Sequence, residues 1–332
     1  MATSIERIPT TDSANISVII PVYNRVATLR RTLDSVASQL VFPREIIIVD
    51  NNSTDGSMKL ATEFSAEFNE CPVIVTSCAK KGASAARNAG AAVASGEWLL
   101  FFDSDDVMYP SLISTYTEKI ASDIVQRYKI IVVPQHSRGH DGSLSIVNHP
   151  LHGDVVVSQL LHAVISTNNM VLHRSVFYEI GGWNEDLPSW NDWELGLRLL
   201  LRYADSTLFM RSVKPQLCHI LHENTITGVG YSHHLDECMA AIAAADADIA
   251  STSIQSRRLY ELLLVYKRIM LAAQLKREGD CRAKTLRDAA IDALPSHFLR
   301  HIFSIIYCYI ATGMPGGSRL ALFAVRYYLK LQ

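Results

Sequence analysis

Three carboxylates, Asp103, Asp105 and Asp106, stand within four residues directly behind two phenylalanines in the stretch FFDSDD. An unpaired carboxylate is costly to bury, so an apolar run that ends in three acids needs an explanation. Either a strand runs out into a solvated acidic turn, or the carboxylates hold a divalent cation. Mg²⁺ and Mn²⁺ prefer oxygen ligands, and on an extended segment Asp103 and Asp105 can face the same cleft.

The elements that must position these acids alternate between short apolar strands and helices of ten to fifteen residues. Strands are predicted at 16–24, 45–50, 73–78 and 97–102, and amphipathic helices between them. This alternation predicts a parallel sheet with right-handed crossovers. In open sheets of this kind, ligands bind beyond the carboxyl ends of the strands.

Polar residues follow three of these strands at the point where each strand ends. Asn24, Asp50 and Asp103 hold these positions, so the fold would gather them along one edge of the sheet. One acid behind one strand could be an ordinary turn residue. Polar residues behind three strands favour a binding site.

The later part of the chain has weaker signals before it becomes helical. A helix is predicted in 107–125 with Pro110 near its first turn, a strand in 129–135, and a hairpin or loop in 136–150. From about residue 235 the chain is mostly helical, with almost no helix breaker in 256–279. Two apolar segments near the end indicate either core helices or helices that lie in a membrane interface.

Composition excludes several classes of protein. With 48% hydrophobic and 19% charged residues, the 332-residue chain is typical of a folded globular protein. Six cysteines without a C-x-x-C pair argue against a disulfide framework or a zinc site. The polar start shows no signal peptide and no apolar run reaches eighteen residues, so a cytoplasmic location is expected.

The net charge of −2 conceals an asymmetry. Residues 257–332 carry 13 Lys and Arg against 5 Asp and Glu, a net charge of +8, so the rest of the chain carries −10. A basic end on an acidic body predicts an anionic partner, unless it is only a solvated helical face. No recognisable nucleic-acid-binding module is present, so the favoured partner is an anionic membrane surface, at the inner face of the cell membrane.

Five sequence blocks, in the expected order, resemble the family 2 glycosyltransferases, which have the GT-A fold. The blocks are VIIPVYN, IIIVDNNSTDGS, KGASAARNAG, WLLFFDSDDVMYP and GGWNEDLPSWNDWELGLRLL. The resemblance implies an α/β fold with a Rossmann-like, mostly parallel sheet and a helical C-terminal extension. The expected domains are a polar extension at 1–14, a GT-A domain at 15–231 (nucleotide-binding half 15–110, acceptor-side half 111–231) and a helical region at 232–332.

The resemblance also implies roles for individual residues. Asp105 would be the main ligand of Mn²⁺ or Mg²⁺, with Asp103 near the metal and the ribose. Asn51 stands where many family members have Asp, which leaves the base open, because an amide both donates and accepts hydrogen bonds. The residues expected to bind the nucleotide are Pro21, Tyr23, Asn24, Asp50, Asn51, Arg87, Asn88, Asp103, Ser104 and Asp105.

Asp192 is the expected catalytic base. Inverting transfer needs one base to take the proton of the acceptor hydroxyl, whereas the metal can neutralise the leaving nucleoside diphosphate. The family supplies this base as the second acid of a pair that opens a helix, and here the pair reads Asn191-Asp192. The alternative is that Asp192 only caps the helix. His222 is the expected third metal ligand, with His219 as its competitor.

The expected function is therefore transfer of a sugar from a nucleotide-sugar donor to a hydroxyl of a glycan or lipid-linked acceptor, in surface polysaccharide or glycolipid synthesis. A UDP-sugar is the first choice of donor, and dTDP- and GDP-sugars are the alternatives. A non-catalytic sugar-nucleotide-binding or nucleic-acid-binding protein is the alternative class. A dinucleotide-dependent oxidoreductase is disfavoured, because PVYNRVATL contains no glycine.

Overall fold

The computed structural model describes residues 14–122, 127–147, 153–221 and 230–331. The chain divides into two compact units. The first comprises Met1–His149, Val164–Pro188 and Tyr203–His222, and the second comprises Pro150–Ala163, Ser189–Arg202 and Glu223–Gln332. Two earlier segments thus group with the C-terminal helices, and the expected domain boundary at residue 231 stays a prediction.

The strands and helices alternate through the first hundred residues, as predicted. In chain order the elements are β1 (Ala14–Val22), α1 (Val26–Ala37), β2 (Pro43–Asp50), α2 (Ser57–Glu67), β3 (Val73–Ser77), α3 (Ala83–Val93), β4 (Trp98–Phe101), β5 (Val107–Met108), α4 (Leu112–Ala121), β6 (Ile130–Val132), β7 (Gln135–Arg138), β8 (Leu144–Val147), α5 (Val155–His162), β9 (Met170–His173), α6 (Arg174–Glu179), α7 (Asn191–Tyr203), β10 (Thr207–Phe209), β11 (Leu217–Ile220), α8 (Leu235–Ala250), α9 (Arg257–Arg277), α10 (Arg282–Asp292), α11 (His297–Ala311) and α12 (Gly317–Lys330).

The first unit is built on a seven-stranded sheet in the order β10-β6-β9-β4-β1-β2-β3. Strands β4, β1, β2 and β3 pair in parallel, whereas β9 is antiparallel to both β4 and β6. Residues Ile46, Ile47, Ile48 and Val49 of β2 are all fully buried, as expected for a parallel strand covered on both faces. The predicted α/β fold with a mostly parallel sheet is confirmed, and the antiparallel β9 is an addition to it.

A second sheet of the first unit has the order β5-β11-β7-β8. Its strands β7 and β8 form an antiparallel hairpin in which Gln135 pairs with Val147, so the hairpin expected at 136–150 is confirmed within the described residues. Strand β5 pairs antiparallel with β11. This pairing brings the segment that follows FFDSDD next to a strand more than a hundred residues later in the sequence.

The second unit is helical, and α9 is its central helix. This helix contacts α5, α8, α10, α11 and α12. Its 21 residues bury a nearly continuous set of apolar side chains, which explains the absence of breakers in the sequence. The predicted helical C-terminal region is confirmed. In the described part of the chain, no helix has the length and apolarity needed to cross a membrane.

Candidate active site

The turns that follow β1 and β2 lie together at one edge of the first unit's main sheet. Val22 at the end of β1 pairs with Asp50 at the end of β2. The Asn24 side chain accepts a hydrogen bond from the backbone N–H of Thr54 (2.8 Å), and the Asn24 backbone N–H donates to Ser53 Oγ (3.0 Å). The predicted meeting of Asn24 and Asp50 at the carboxyl edge is therefore observed.

Asp50 offers a carboxylate oxygen that the described part of the protein leaves without a hydrogen-bond donor. The side chain is buried, and the Ser53 backbone N–H donates to Oδ2 (3.2 Å), whereas the buried Oδ1 has no partner among the described residues. An unsatisfied buried acceptor costs about 1–3 kcal/mol. Pro21 is buried within β1, and the ring of Tyr23 at its end is 55% exposed. The carboxyl edge of the sheet thus combines the exposed aromatic ring of Tyr23 with the Asp50 oxygen, which lacks a hydrogen-bond donor among the described residues.

The side-chain amide of Asn51 is hydrogen-bonded to backbone groups of the loop before α3, which explains why this position has an amide and not a carboxylate. Its Nδ2 donates to the carbonyls of Cys78 (3.0 Å) and Lys80 (2.7 Å), and its Oδ1 accepts from the Gly82 backbone N–H (2.8 Å). A carboxylate would repel the two carbonyl oxygens. Asn51 thereby fixes the loop before α3, and its contact with a nucleotide stays a prediction.

Arg87 pairs with the first acid of the DSDD segment. Its Nη2 lies 2.6 Å from Asp103 Oδ1, and its guanidinium lies 4.4 Å from the ring centroid of Trp183. Trp183 is 1% exposed and packs edge-on against Phe101, so it belongs to the core and forms no open wall for a sugar. The contact of Arg87 with a base or diphosphate stays a prediction.

Asn88 holds the loop that contains Trp183 and Glu185. Its Nδ2 donates to the Trp183 carbonyl (2.9 Å) and to Glu185 Oε1 (2.7 Å), while its Oδ1 accepts from the Trp183 backbone N–H (3.0 Å). Lys80 also pairs with Glu185 (2.8 Å). These hydrogen bonds from Asn88 and Lys80 lower the pKa of Glu185. Asn88 therefore shapes this part of the first unit, and its contact with a nucleotide stays a prediction.

Helix α1 and Arg25, the residue before it, hold the middle of the DSDD segment. Arg25 Nε lies 3.3 Å from Asp105 Oδ2, and Arg31 donates to the backbone carbonyl of Asp105 (2.7 Å). Thr28 Oγ1 donates to the carbonyl of Ser104 (3.2 Å). The segment is therefore an ordered part of the fold, which argues against the solvated acidic turn considered above.

Asp106 is the most deeply buried of the three acids and is fully covered. It accepts hydrogen bonds from His219 Nδ1 (2.9 Å), from the Ile220 backbone N–H (2.8 Å) and from Asn168 Nδ2. Burial raises the pKa of Asp106 to about 6, against the effect of the His219 hydrogen bond. Burial alone would lower the pKa of His219, but the hydrogen bond and charge of Asp106 raise it to about 9. The register of β5 and β11 sets the two residues opposite each other.

Asn168 also contacts the DSDD segment, although its position in the sequence does not indicate this. Its Oδ1 accepts from the Asp103 backbone N–H (2.7 Å), and its Nδ2 donates to Asp106. Leu100 pairs with Val171 in the antiparallel register of β4 and β9. Three residues further along, the same register sets Asp103 opposite Asn168. No local signal in the sequence indicates this pairing, since it depends on the placement of a four-residue strand.

The donor set fits a hard divalent cation that shares its shell with a ligand. Among the described residues, no group of three or more His, Cys, Asp or Glu side chains could hold a metal ion. Mg²⁺ and Mn²⁺ commonly use one or two carboxylates together with substrate phosphates, and Asp103 and Asp105 supply such oxygens. The third predicted ligand, His222, lies outside the described residues. Its competitor His219 is hydrogen-bonded to Asp106.

Asp192 lies in the first turn of α7, in the second unit. Its Oδ1 accepts a hydrogen bond from the backbone N–H of Trp193 (2.8 Å). Beside it, the Lys267 ammonium lies 4.9 Å from the ring centroid of Trp190 and 5.1 Å from that of Trp193. Trp190 has φ +56°, a left-handed backbone conformation that is unusual for a bulky residue. Burial lowers the pKa of Lys267 to about 8, although the charges of Cys238 and Asp192 oppose this.

Residues 17–181, about half of the chain, match the family model of Glycosyl transferase family 2. The chain belongs to this family. A glycosyltransferase of Haemophilus influenzae is 29% identical over 191 residues, which cover 56% of this chain and 62% of that protein. The chain thus spans less than two thirds of the length of that relative.

Solved structures with the same fold can be superposed on nearly the whole of this chain. S. aureus TarS 1-349 in complex with UDP-GlcNAc has a TM-score of 0.64 at 16% identity, over 96% of this chain and 92% of that chain. The mannosyltransferase PcManGT from Pyrobaculum calidifontis, in complex with GDP-Man and Mn²⁺, has a TM-score of 0.56 at 15% identity, over 96% and 87%. These likenesses confirm the GT-A fold.

Proposed function

We propose that this chain is an inverting glycosyltransferase that moves a sugar from a nucleotide-diphosphate donor to a hydroxyl acceptor. The observation that carries the proposal is the buried Asp50 Oδ1, which has no described donor and lies beside the exposed Tyr23 at the carboxyl edge of the sheet. An unsatisfied buried acceptor is relieved by a ligand that brings an N–H group. The imide N–H of uracil is such a group.

The expected preference for particular nucleotide bases follows from the same atom, Asp50 Oδ1. Uracil, thymine and guanine each present a ring N–H, whereas cytosine has an acceptor nitrogen at the equivalent ring position. We therefore expect a UDP-sugar, with dTDP- and GDP-sugars as alternatives, and a CDP-sugar is disfavoured because only the exocyclic amino group of cytosine could donate to Asp50. The preference for UDP is supported by the fold shared with TarS, which was solved with UDP-GlcNAc.

Asp105 and Asp103 would hold Mn²⁺ or Mg²⁺, which neutralises negative charge on the leaving diphosphate when bound. The mannosyltransferase of similar fold was solved with Mn²⁺. Arg25 and Arg31 hold Asp105 at its side chain and its carbonyl, and Arg87 holds Asp103. These three cations keep the acids in place and offset the repulsion between them.

Asp192 would act as the base. The acceptor oxygen forms a bond to the anomeric carbon, its proton passes to the Asp192 carboxylate, and the bond from that carbon to the diphosphate oxygen breaks with its electron pair. Attack from the face opposite the leaving group inverts the anomeric configuration. We further propose a glycan or lipid-linked acceptor at the inner face of a membrane, because the C-terminal residues 257–332 carry a net charge of +8.

The test is release of UDP from UDP-GlcNAc and UDP-glucose in the presence of a panel of glycan and lipid-linked acceptors. Asp192→Asn should reduce acceptor-dependent release at least a hundredfold and leave the affinity for UDP within twofold. Asp205→Asn, at an exposed acid just beyond α7, is the matched control and should keep full activity. Retained turnover in Asp192→Asn would remove Asp192 as the base, and joint loss of UDP affinity would indicate a structural role.

A further inference from the structure

The last helix of the second unit, α12, is apolar on two faces. One face is buried and contains Ala321, Leu322, Ala324 and Val325. The other face is exposed and carries Leu320, Phe323 (72% exposed), Tyr327 and Leu331 (66% exposed). The spacing of three, four and four residues places these four side chains in one stripe along the helix. Packing within the unit therefore accounts for only one of the two faces.

Helix α11 extends this exposed stripe. The ring of Phe298 lies 5.9 Å from that of Tyr327, which in turn stacks on Phe323 at 6.3 Å. Ile305 lies two turns after Phe298 on the same side of α11 and is also exposed. We call the set Phe298, Ile305, Leu320, Phe323, Tyr327 and Leu331 the α11–α12 surface. Seven of the fourteen large hydrophobic side chains that are exposed in the described structure fall within 298–331, so the exposure is concentrated here.

The charged side chains within the segment that forms this surface are all positive. From residue 293 to residue 332 the sequence contains no Asp or Glu. The exposed side chains of Arg319, Arg326 and Lys330 on α12 have no ion pair or hydrogen bond with any described residue. A region of mixed solvated charges would instead pair cations with neighbouring acids, as α9 does through Glu261.

Phe323 stands at the boundary between the apolar and basic parts of α12. Its neighbours on the helix surface are Arg319 and Arg326, at i−4 and i+3, on one side, and Leu320 and Tyr327, at i−3 and i+4, on the other. Aromatic rings bordered by Arg and Lys are typical of helices that lie in the boundary between lipid headgroups and acyl chains. The long cationic side chains can reach phosphates while their stems lie on apolar surface.

We infer that the α11–α12 surface docks on the surface of an anionic phospholipid bilayer, with its aromatic rings inserted below the headgroups. A second copy of the chain fits less well, because a two-fold contact through this surface would bring like charges together with no acid to pair them. The inference names the surface and the mode of contact, and it holds whether or not the chain transfers a sugar. Binding should therefore have two components, charge attraction and apolar insertion.

Sedimentation with phospholipid vesicles separates these two components. The full chain should bind vesicles of phosphatidylcholine with about 30% phosphatidylglycerol and bind pure phosphatidylcholine at least tenfold less. The double variant Phe323→Ser/Tyr327→Ser should lower the partition coefficient by about tenfold or more. Ile146→Ser, at an exposed isoleucine of the first unit, is the matched control and should bind like the unchanged protein.

Salt and fluorescence give independent readouts of the same inference. Arg319→Gln/Arg326→Gln should reduce binding about tenfold at low salt and much less at 0.5 M salt, where charge attraction is screened. Phe323→Trp should show a blue shift of its emission when vesicles are added, and Ile146→Trp should show none. These substituted residues are exposed, so the variants are expected to fold.

Two results would overturn the inference. One is equal vesicle binding by the protein and its Phe323→Ser/Tyr327→Ser variant. The other is a dimer in light scattering that this variant dissolves, combined with no binding to anionic vesicles, since the surface would then join two copies of the chain. Loss of vesicle binding with full sugar transfer to a soluble acceptor would support the inference and leave the proposed activity intact.

Discussion

Lys267 allows a direct test of the packing around the helix that carries Asp192. The ammonium is buried in the second unit, between the rings of Trp190 and Trp193. Burial holds its pKa at about 8, below its ordinary value of 10.5. Lys267→Met keeps the length and apolar stem of the side chain and removes the charge.

The sign of the effect follows from proton binding in the two states. Between pH 8 and pH 10.5 the unfolded chain keeps the lysine proton and the folded chain releases it, so the free energy of unfolding rises with pH in this window. The difference between the two pKa values corresponds to about 3 kcal/mol. We therefore expect the free energy of unfolding to rise by up to about 3 kcal/mol between pH 7 and pH 10.5.

The assay is urea unfolding of the protein and of Lys267→Met at pH 7 and at pH 10.5. We expect the variant to gain about 1–3 kcal/mol over the unchanged protein at pH 7 and to lose most of that gain at pH 10.5. Lys276→Met, at an exposed lysine of the same helix, is the matched control and should show no such difference. Parallel pH dependence of the protein and Lys267→Met would refute the placement of this ammonium in the buried aromatic site.

Three further predictions concern the first unit. Asp106→Ala should lower the free energy of unfolding in a urea titration by about 3–5 kcal/mol, because it leaves three hydrogen-bond donors without their acceptor. Glu63→Ala, at an exposed acid, is the control and should change the free energy of unfolding by less than about 0.5 kcal/mol in the same titration. Asn51→Asp should lower the free energy of unfolding at pH 7, measured by thermal unfolding, by about 2 kcal/mol, because a carboxylate would face two carbonyl oxygens. Recovery of stability at pH 4, where the new carboxyl group is largely protonated, would confirm this cause. Gly90→Ala should lower the free energy of unfolding by about 1–3 kcal/mol, because the added Cβ would lie 2.5 Å from a methyl group of Ile19. An unchanged melting temperature would contradict the close contact of α3 with β1.

The parts of the fold that the sequence predicts are those with local signals. Strand β2 is a continuous apolar run that ends in Asp50, and α9 is a long run without breakers, so both could be recognised from neighbouring residues alone. The parallel sheet then followed from the alternation of strands and helices. The meeting of Asn24 and Asp50 at one edge is a consequence of that topology.

The parts that could not be predicted depend on contacts between distant segments. Asp106 is an acid in the sequence like its two neighbours, but its partners Asn168 and His219 lie 62 and 113 residues away. Their positions follow from the short strands β9 and β11, whose pairing no local pattern specifies. For the same reason the sequence could not show that Lys267 is buried against Trp190 and Trp193, or that Asn51 holds the loop before α3.

The central claim is a nucleotide-diphosphate site at the carboxyl edge that uses Asp50 and the DSDD acids. Calorimetric titration with UDP and with CDP, each with and without Mn²⁺, tests it most directly, with Asp105→Ala as the variant for the metal. We predict that UDP binds at least tenfold more tightly with Mn²⁺, that this gain is lost in Asp105→Ala, and that CDP binds at least tenfold more weakly than UDP. Equal affinity for UDP and CDP would contradict the role of Asp50, and no binding of UDP, dTDP or GDP with Mn²⁺ would contradict the proposed function as a whole.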